Sequence, residues 1–253
     1  MPQNDAAALW TERAPRFPSG RDPGHRARML ARLTHVPQAA LPRTGMRCLD
    51  VGAGTGVFAL YASDEGADVT ATDVSEGMLA RLSANDPERR VTAVRADWKD
   101  IDPEAHGWTG GFDLVLAQMM PGVRTPEDFL RMEACSRGWC VYIGWGRKRH
   151  DPWLDAVFAA HGASLPLPPG TPNALEQLVA IGRMVTPVWI KETWHPQRPM
   201  DAAVPDAISH LRMHGIAPDY DRIMAMARTH ARGGIILEGA TNEIGVLAWH
   251  TGP

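Results

Sequence analysis

Apolar residues recur along the chain in short runs that predict strands. The stretches between these runs contain residues typical of helix starts and helix ends. The apolar runs occupy the start of 48–60 and the ranges 68–73, 91–98, 112–123, 139–145, 186–194, 235–237 and 244–250. Helical patterns occupy 126–134, 151–161 and 173–181, with two more around 205–214 and 219–232. A continuous apolar run, such as the one that begins at Cys48, suits a parallel strand covered on both faces. The range 186–194 alternates apolar and polar residues instead, and it predicts a strand with one face more exposed.

Turn residues set the limits of several of these elements. Gly138 predicts a break before the fifth strand, and the proline-rich range 164–172 predicts an irregular loop. The last two apolar runs flank the sequence GATNE, so they predict a closing hairpin.

A glycine loop stands between the first buried strand and a helix, in the sequence CLDVGAGTGVFAL from Cys48 to Leu60. Gly52, Gly54 and Gly56 permit a sharp turn and let the backbone approach a ligand closely. Dinucleotide-binding loops have the pattern GxGxxG, whereas Val57 occupies the place of the third glycine here. The pattern therefore disfavours an NAD-dependent oxidoreductase, and a tight turn without a ligand remains the alternative.

Asp50 followed by GxGxG resembles motif I of the class I S-adenosylmethionine (SAM) dependent methyltransferases. The resemblance implies that Asp50, Gly52, Ala53, Gly54 and Gly56 form the cofactor loop. It covers about residues 45–145.

The same resemblance assigns the next cofactor contacts. Asp73 ends the second strand run, where the family holds the ribose, and Val74 follows it. Ser75 is a predicted helix N-cap, and Met78 lies one turn into that helix, beside the adenine in the family. Asp73 read alone also fits an ordinary loop carboxylate.

Asp97 and Trp98 follow the third strand, where the resemblance implies adenine recognition. Asp97 would accept from the adenine amino group, while Trp98 would donate its backbone N–H and supply an apolar wall. Gln118, at the end of the fourth strand, would face the cofactor, because ligands of open α/β sheets bind at strand ends. Asp97 also fits an ordinary loop carboxylate.

The resemblance implies an α/β fold: a three-layer sandwich with a seven-stranded, mostly parallel sheet whose last strand is antiparallel. One methyltransferase domain over 1–253 is expected, with an N-terminal helical cap at 1–44, a SAM-binding core at 45–199, a helical insertion at 200–234 and a terminal hairpin at 235–253. SAM would be the cofactor and S-adenosylhomocysteine (SAH) the product of a methyl transfer to a small molecule.

Composition agrees with a single globular domain. The chain has 253 residues, of which 44% are hydrophobic and 22% charged. No apolar run approaches the ~20 residues of a membrane span, and the N-terminus lacks the features of a signal peptide. We therefore expect a cytoplasmic protein with no membrane partner, and three cysteines with no CxxC pair predict core thiols.

The charge pattern argues against a nucleic-acid partner. The formal net charge is −3 with acids and bases interspersed, so a basic footprint is missing. The run Arg147–His150 predicts a solvated loop, with an anion-binding patch as the alternative. The fourth strand ends in AQMM, unlike the acidic or Asn-Pro-Pro-aromatic motif of DNA amino-methyltransferases.

Residues for the methyl acceptor come from segments outside the motifs. Met119 and Trp145 end central strands, and Trp10 and Tyr220 belong to the terminal and late helical segments, 1–33 and 200–232. These segments are expected to cover the acceptor, and a packing anchor is the alternative for Trp10.

Histidines add no specific chemistry. His210 and His214 are spaced for a metal, but the chain offers no third ligand of obvious spacing, so no metal is expected. His25, His106, His150 and His195 are undistinguished candidates for a general base. A SAM-binding regulatory or partner protein without transferase activity is the alternative function, and the oligomeric state stays open.

Overall fold

The computed structural model describes residues 3–194, 197–237 and 239–252. The strands are β1 Arg47–Val51, β2 Asp68–Asp73, β3 Val91–Arg95, β4 Phe112–Gln118, β5 Ser136–His150, β6 Val188–Trp194, β7 Arg198–Pro199, β8 Ile235–Ile236 and β9 Ala240–His250. The α-helices are α1 Gln3–Arg13, α2 Pro23–Leu33, α3 Val57–Asp64, α4 Glu76–Ala84, α5 Pro126–Cys135, α6 Pro152–Ala160, α7 Thr171–Ala180, α8 Met200–Met213 and α9 Tyr220–His230. Short 3-10 turns cover Ala14–Arg16, Gln38–Ala40 and Trp98–Asp100.

Seven of these strands form one sheet in the order β3-β2-β1-β4-β5-β9-β6. The pairs β1–β2, β2–β3, β1–β4 and β4–β5 are parallel. The prediction of a mostly parallel seven-stranded sheet with one antiparallel strand, flanked by helices, is confirmed. The strand order reverses between β1 and β4, and the crevice at such a switch point is where open α/β sheets bind ligands.

Apolar runs form the central strands because those strands are covered on both faces. Residues 48–51 of β1 and 114–117 of β4 are all buried. The apolar core that contains residues of β1 and β4 also includes Phe129, Tyr142 and Trp249. None of the helices in the described ranges has the length and apolar character to cross a lipid bilayer.

The fifth strand differs from its prediction. β5 runs from Ser136 to His150 without a break, so Gly138 does not end an element and Arg147–His150 is strand rather than loop. A Cβ atom on Gly138 would lie 2.6 Å from the Asp113 carbonyl oxygen, so glycine is required there by a close approach to β4.

The predicted terminal hairpin at 235–253 is wrong. β8 pairs antiparallel with β7, through Ile236 with Arg198 and Ile235 with Pro199, while β9 joins the large sheet. A short alternating run predicts an extended segment but does not identify the strand with which it pairs. The pairing depends on contacts between residues that are distant in sequence.

The chain divides into two compact units. Unit 1 comprises Met1–Gly144, Pro169–Ile190 and Ile244–Pro253, and unit 2 comprises Trp145–Pro168 and Lys191–Glu243. Unit 2 has its own apolar core from α6, α8 and α9, which includes Trp153, Phe158, Leu211 and Ile223. The insertion predicted at 200–234 is therefore one part of a larger unit.

Candidate active site

The three loop glycines all have left-handed backbone conformations, with φ of 71° at Gly52, 57° at Gly54 and 85° at Gly56. A Cβ atom on Gly52 would lie 2.1 Å from Met120 Cγ, and one on Gly56 would lie 2.7 Å from Leu82 Cγ. At Gly54, no atom of the described residues would lie within 4 Å of that Cβ. Gly54 therefore faces open space at the carboxyl end of β1, where a ligand has room to meet the backbone.

Asp73 joins the end of β2 to this loop. Its Oδ2 accepts from the Gly54 N–H at 2.9 Å, and its Oδ1 accepts from the Ser75 N–H at 2.8 Å. Burial raises the pKa of Asp73, and these backbone hydrogen bonds oppose the shift. Ser75 is the N-cap of α4, as predicted, and its Oγ accepts from the Met78 N–H at 3.1 Å.

Asp50 lies beneath the loop rather than in its open part. Its side chain is 3% exposed, and Oδ2 accepts from the Ala59 N–H at 3.1 Å. Burial, with a contribution from the charge of Asp73, raises the pKa of Asp50 to about 7. Asp50 thus ties β1 to the first turn of α3, while the Ala53 N–H donates to the Thr72 carbonyl at 2.8 Å.

The predicted adenine side lies after β3. Asp97 caps the turn at 98–100, and its carboxylate contacts Lys99 through the backbone N–H at 3.3 Å and Nζ at 3.4 Å. Trp98 is 2% exposed, and its indole N–H donates to the Asp128 carbonyl at 3.2 Å. The Trp98 ring therefore belongs to the core, which corrects its prediction as a ligand wall; its backbone N–H stays a predicted donor.

The end of β4 brings a further polar group to the loop. Ala117 pairs with Val51, so Gln118 lies beside the residue that starts the loop. The Gln118 Oε1 atom is buried and has no hydrogen-bond partner among the described residues. A buried acceptor without a donor is costly, and a ligand N–H or O–H would satisfy it.

Residues 10–26, which we call the N-terminal strap, pack against the loop. The Thr55 hydroxyl donates to the Pro18 carbonyl at 2.7 Å. A Cβ atom on Gly20 would lie 2.2 Å from the Thr55 carbonyl oxygen, so the two backbones are in direct contact. Pro18, Gly20 and Thr55 are not among the predicted site residues, because nothing in the local sequence of either segment signals a contact between them.

Of the predicted acceptor residues, Trp10 and Met119 belong to unit 1. Trp10 is half-buried, with its ring edge-on to Phe17 at 6.2 Å between centroids and the Arg13 guanidinium 5.3 Å from its centroid. Met119 has a left-handed φ of 52°, and its N–H donates to the Ile143 carbonyl at 2.7 Å.

Trp145 and Tyr220 belong to unit 2. The Trp145 ring lies edge-on to Trp194 at 6.4 Å, and the Arg149 guanidinium lies 5.0 Å from its centroid. Tyr220 begins α9 and is 58% exposed.

The histidine candidates have local partners in several cases. His106 Nδ1 lies 2.8 Å from the Asp102 carbonyl, and His150 Nδ1 lies 2.6 Å from Asp155 Oδ2. Burial lowers the pKa of His25, and neighbouring arginines add to the shift. His195 lies outside the described residues.

Comparison with known proteins finds similarity over the part of the chain that contains the glycine loop. Residues 48–136 match the family model of a methyltransferase domain. The glycine loop and the strand order of this region agree with the match and are similar to those of class I SAM-dependent methyltransferases, which take SAM as cofactor and release SAH.

Two curated relatives show what kinds of acceptor occur among similar sequences. A ubiquinone biosynthesis O-methyltransferase from Pectobacterium carotovorum is 31% identical over 156 residues, which are 59% of this chain and 63% of that protein. The 16S/23S rRNA (cytidine-2'-O)-methyltransferase TlyA from Mycobacterium tuberculosis is 44% identical over 81 residues, which are 32% of this chain and 29% of that protein. The chain thus spans less than two thirds of the length of either relative.

Two solved structures have a fold similar to that of this chain. A candidate methyltransferase from Bacillus halodurans superposes with a TM-score of 0.54 at 15% identity, covering 88% of this chain and 99% of that one. A candidate type II methyltransferase from Anaeromyxobacter dehalogenans gives a TM-score of 0.52 at 20% identity, covering 90% and 97%.

Proposed function

We propose that this chain binds SAM at the carboxyl ends of β1, β2 and β4 and transfers its methyl group to a small-molecule acceptor. The observation that carries the proposal is the open Gly54 backbone, held by the Asp73 carboxylate. The unpartnered Gln118 oxygen supports it, because a donor group of a ligand would satisfy that atom.

Asp73 retains hydrogen-bonding capacity for the ribose. Each carboxylate oxygen has about two lone pairs, and each one accepts a backbone N–H here, from Gly54 and from Ser75. The remaining lone pairs suit a pair of neighbouring hydroxyl groups. The backbone bonds also hold the carboxylate in place before the ligand arrives, so less ordering is needed on binding.

Bound SAM supplies a methyl group that its sulfonium has already activated. The protein is then required mainly to align the acceptor with that methyl group, and such positioning contributes up to ~7 to 11 kcal/mol in the best cases. Gln118 and Met119, at the end of β4, are the residues that we propose face the reacting groups. A general base is needed only when the acceptor arrives protonated.

A small-molecule acceptor is favoured over RNA by charge. The chain carries 26 Lys and Arg against 29 Asp and Glu. Binding to nucleic acid relies on Lys and Arg that neutralise phosphates. The ubiquinone relative shares more of this chain than the rRNA relative does, 59% against 32%.

Gly54→Val provides the test of the cofactor site. A valine side chain would fill the open space and strain the left-handed backbone, so SAH binding measured by calorimetry should be lost. Gly110→Val is the matched control, because Gly110 has a φ of 58° and an equally open surrounding at the amino end of β4. Near-normal SAH affinity in a folded Gly54→Val protein, or equal losses in both variants, would refute the site.

The acceptor class needs a separate measurement. Tritium from methyl-labelled SAM should pass to a small-molecule fraction of a cell extract when the wild-type protein is added, and not with Gly54→Val. Labelling of the RNA fraction instead would refute the small-molecule proposal. SAH binding without transfer to any fraction would favour a SAM-binding regulatory protein.

A further inference from the structure

The N-terminal strap is fastened to α4 by side chains that the proposed cofactor site does not use. The Arg81 guanidinium donates to the Phe17 carbonyl at 2.6 Å and also to the Ala14 carbonyl. The Ser19 hydroxyl donates to Asn85 Oδ1 at 2.9 Å. These bonds hold the backbone that follows α1 against α4, the helix that begins three residues after Asp73.

An arginine cluster fastens the other end of the strap to α3. Arg21 and Arg26 contact Asp64 Oδ2 at 2.5 and 2.8 Å, and Arg90 contacts its Oδ1 at 3.0 Å. Hydrogen bonds from these guanidinium groups outweigh burial and lower the pKa of Asp64 to about 2. Asp64 therefore stays ionised at neutral pH, and the strap is held at both ends.

Docking of α1 brings the Thr11 hydroxyl to the start of α4. A Cβ atom on Gly77 would lie 3.1 Å from Thr11 Cγ2 and 3.2 Å from Ala14 Cβ, so a larger residue there would crowd α1 at this distance. In this position Thr11 Oγ1 lies 2.9 Å from Ser75 Oγ.

A continuous hydrogen-bond network then runs from α1 to the glycine loop. Thr11 contacts the Ser75 hydroxyl, the Ser75 N–H donates to Asp73, and Asp73 accepts from the Gly54 N–H. Ser75 is fully buried, and its hydroxyl already accepts from the Met78 N–H. Thr11 thus completes the hydrogen bonding of a hydroxyl that lies out of reach of bulk water, and its loss would leave that group short of a partner.

We infer that Thr11 is a positioning residue for Asp73, which it orients through Ser75 when the strap is docked. The strap is then part of the cofactor site without touching the ligand through Thr11. Arg81 contributes to the same effect, because its hydrogen bonds to the Ala14 and Phe17 carbonyls hold in place the strap that contains Thr11. This inference rests on the proposed function, since it assigns Asp73 to the cofactor.

Calorimetric titration with SAH tests it with four proteins. Thr11→Val removes the hydroxyl but keeps the shape, and it should weaken SAH binding by about fivefold to tenfold, the effect of one lost hydrogen bond. Thr11→Ser keeps the hydroxyl and should bind within twofold of wild type. Thr34→Val is the matched control, because the Thr34 hydroxyl donates to the Ala31 carbonyl at the end of its own helix.

Each outcome has a distinct meaning. Failure of the wild-type protein to bind SAH would refute the proposed function itself. Wild-type binding with an unchanged affinity in Thr11→Val, or an equal loss in Thr11→Ser or Thr34→Val, would overturn the positioning role alone. Thr11 is exposed, so the variant is expected to fold, and its thermal unfolding midpoint checks this.

Arg81→Gln provides a second route to the same answer. It should weaken SAH binding in the same direction, because it releases the strap carbonyls. The Thr11→Val and Arg81→Gln double variant should lose little more than the larger single effect if both residues act through one path. Fully additive losses would overturn the coupling.

Discussion

The three loop glycines share one backbone handedness but have different reasons to be glycine. Gly52 and Gly56 lie against Met120 and Leu82, so their missing side chains are required for packing. Gly54 has open space instead, and this is the feature that a bound cofactor would use. The sequence pattern marks all three alike, and only the fold separates the packing role from the binding role.

Asp50 has a stability consequence that follows from its raised pKa of about 7. In the unfolded chain an aspartate loses its proton near pH 4, whereas the folded protein holds the proton up to about pH 7. Between these values the folded state binds more protons than the unfolded state, so the free energy of unfolding falls as pH rises.

Asp50→Asn should remove that decline, because the amide cannot ionise and still offers an oxygen to the Ala59 N–H. As pH rises from 4 to 8, the free energy of unfolding of the variant, measured with urea, should increase relative to that of wild type by up to about 4 kcal/mol. Asp113→Asn is the control. The Arg137 contact lowers the pKa of Asp113, so the contribution of Asp113 to the free energy of unfolding is lost as pH falls, which is the opposite direction. A wild-type decline that persists unchanged in Asp50→Asn would contradict the assignment.

At the scale of elements, the sequence predicts those that depend on local pattern. β2 matches its predicted range, α4 begins after its predicted cap Ser75, and α5 begins at Pro126 as predicted. The extent of β5 and the partner of β8 were missed, because both depend on residues that are far apart in sequence. The docking of the strap on Thr55 was missed for the same reason.

Asp151 shows how a capping residue also joins two elements within unit 2. It caps α6 by accepting from the Leu154 N–H at 3.2 Å, and both of its oxygens accept from the Arg198 guanidinium of β7, at 2.9 and 2.5 Å. Its side chain is 9% exposed. The loss of one member of a buried ion pair is more damaging than the loss of a cap alone.

Asp151→Ala should therefore destabilise unit 2 by about 3 kcal/mol or more. Asp219→Ala is the comparison, because Asp219 caps α9 and is 47% exposed, and it should cost only about 1 kcal/mol. Hydrogen exchange in α6 and α8 measures the effect of Asp151→Ala, and exchange in α9 measures the effect of Asp219→Ala. Equal effects of the two variants would show that the Arg198 contact adds nothing to the cap.

At the scale of the whole molecule, the proposed cofactor residues all belong to unit 1, whereas the predicted acceptor residues are divided between the units. Trp145 and Tyr220 belong to unit 2, and their predicted role as acceptor contacts stays a prediction. A ligand protects the amides that it contacts or orders, so the amides that SAH protects from exchange should lie in unit 1.

SAH alone should slow hydrogen exchange in the glycine loop at 52–56 and in the N-terminal strap, and should leave α8 and α9 unchanged. NAD at the same concentration is the control and should protect neither region, because Val57 replaces the third glycine of a dinucleotide loop. Protection of α8 or α9 by SAH would contradict the proposal that the cofactor site lies within unit 1.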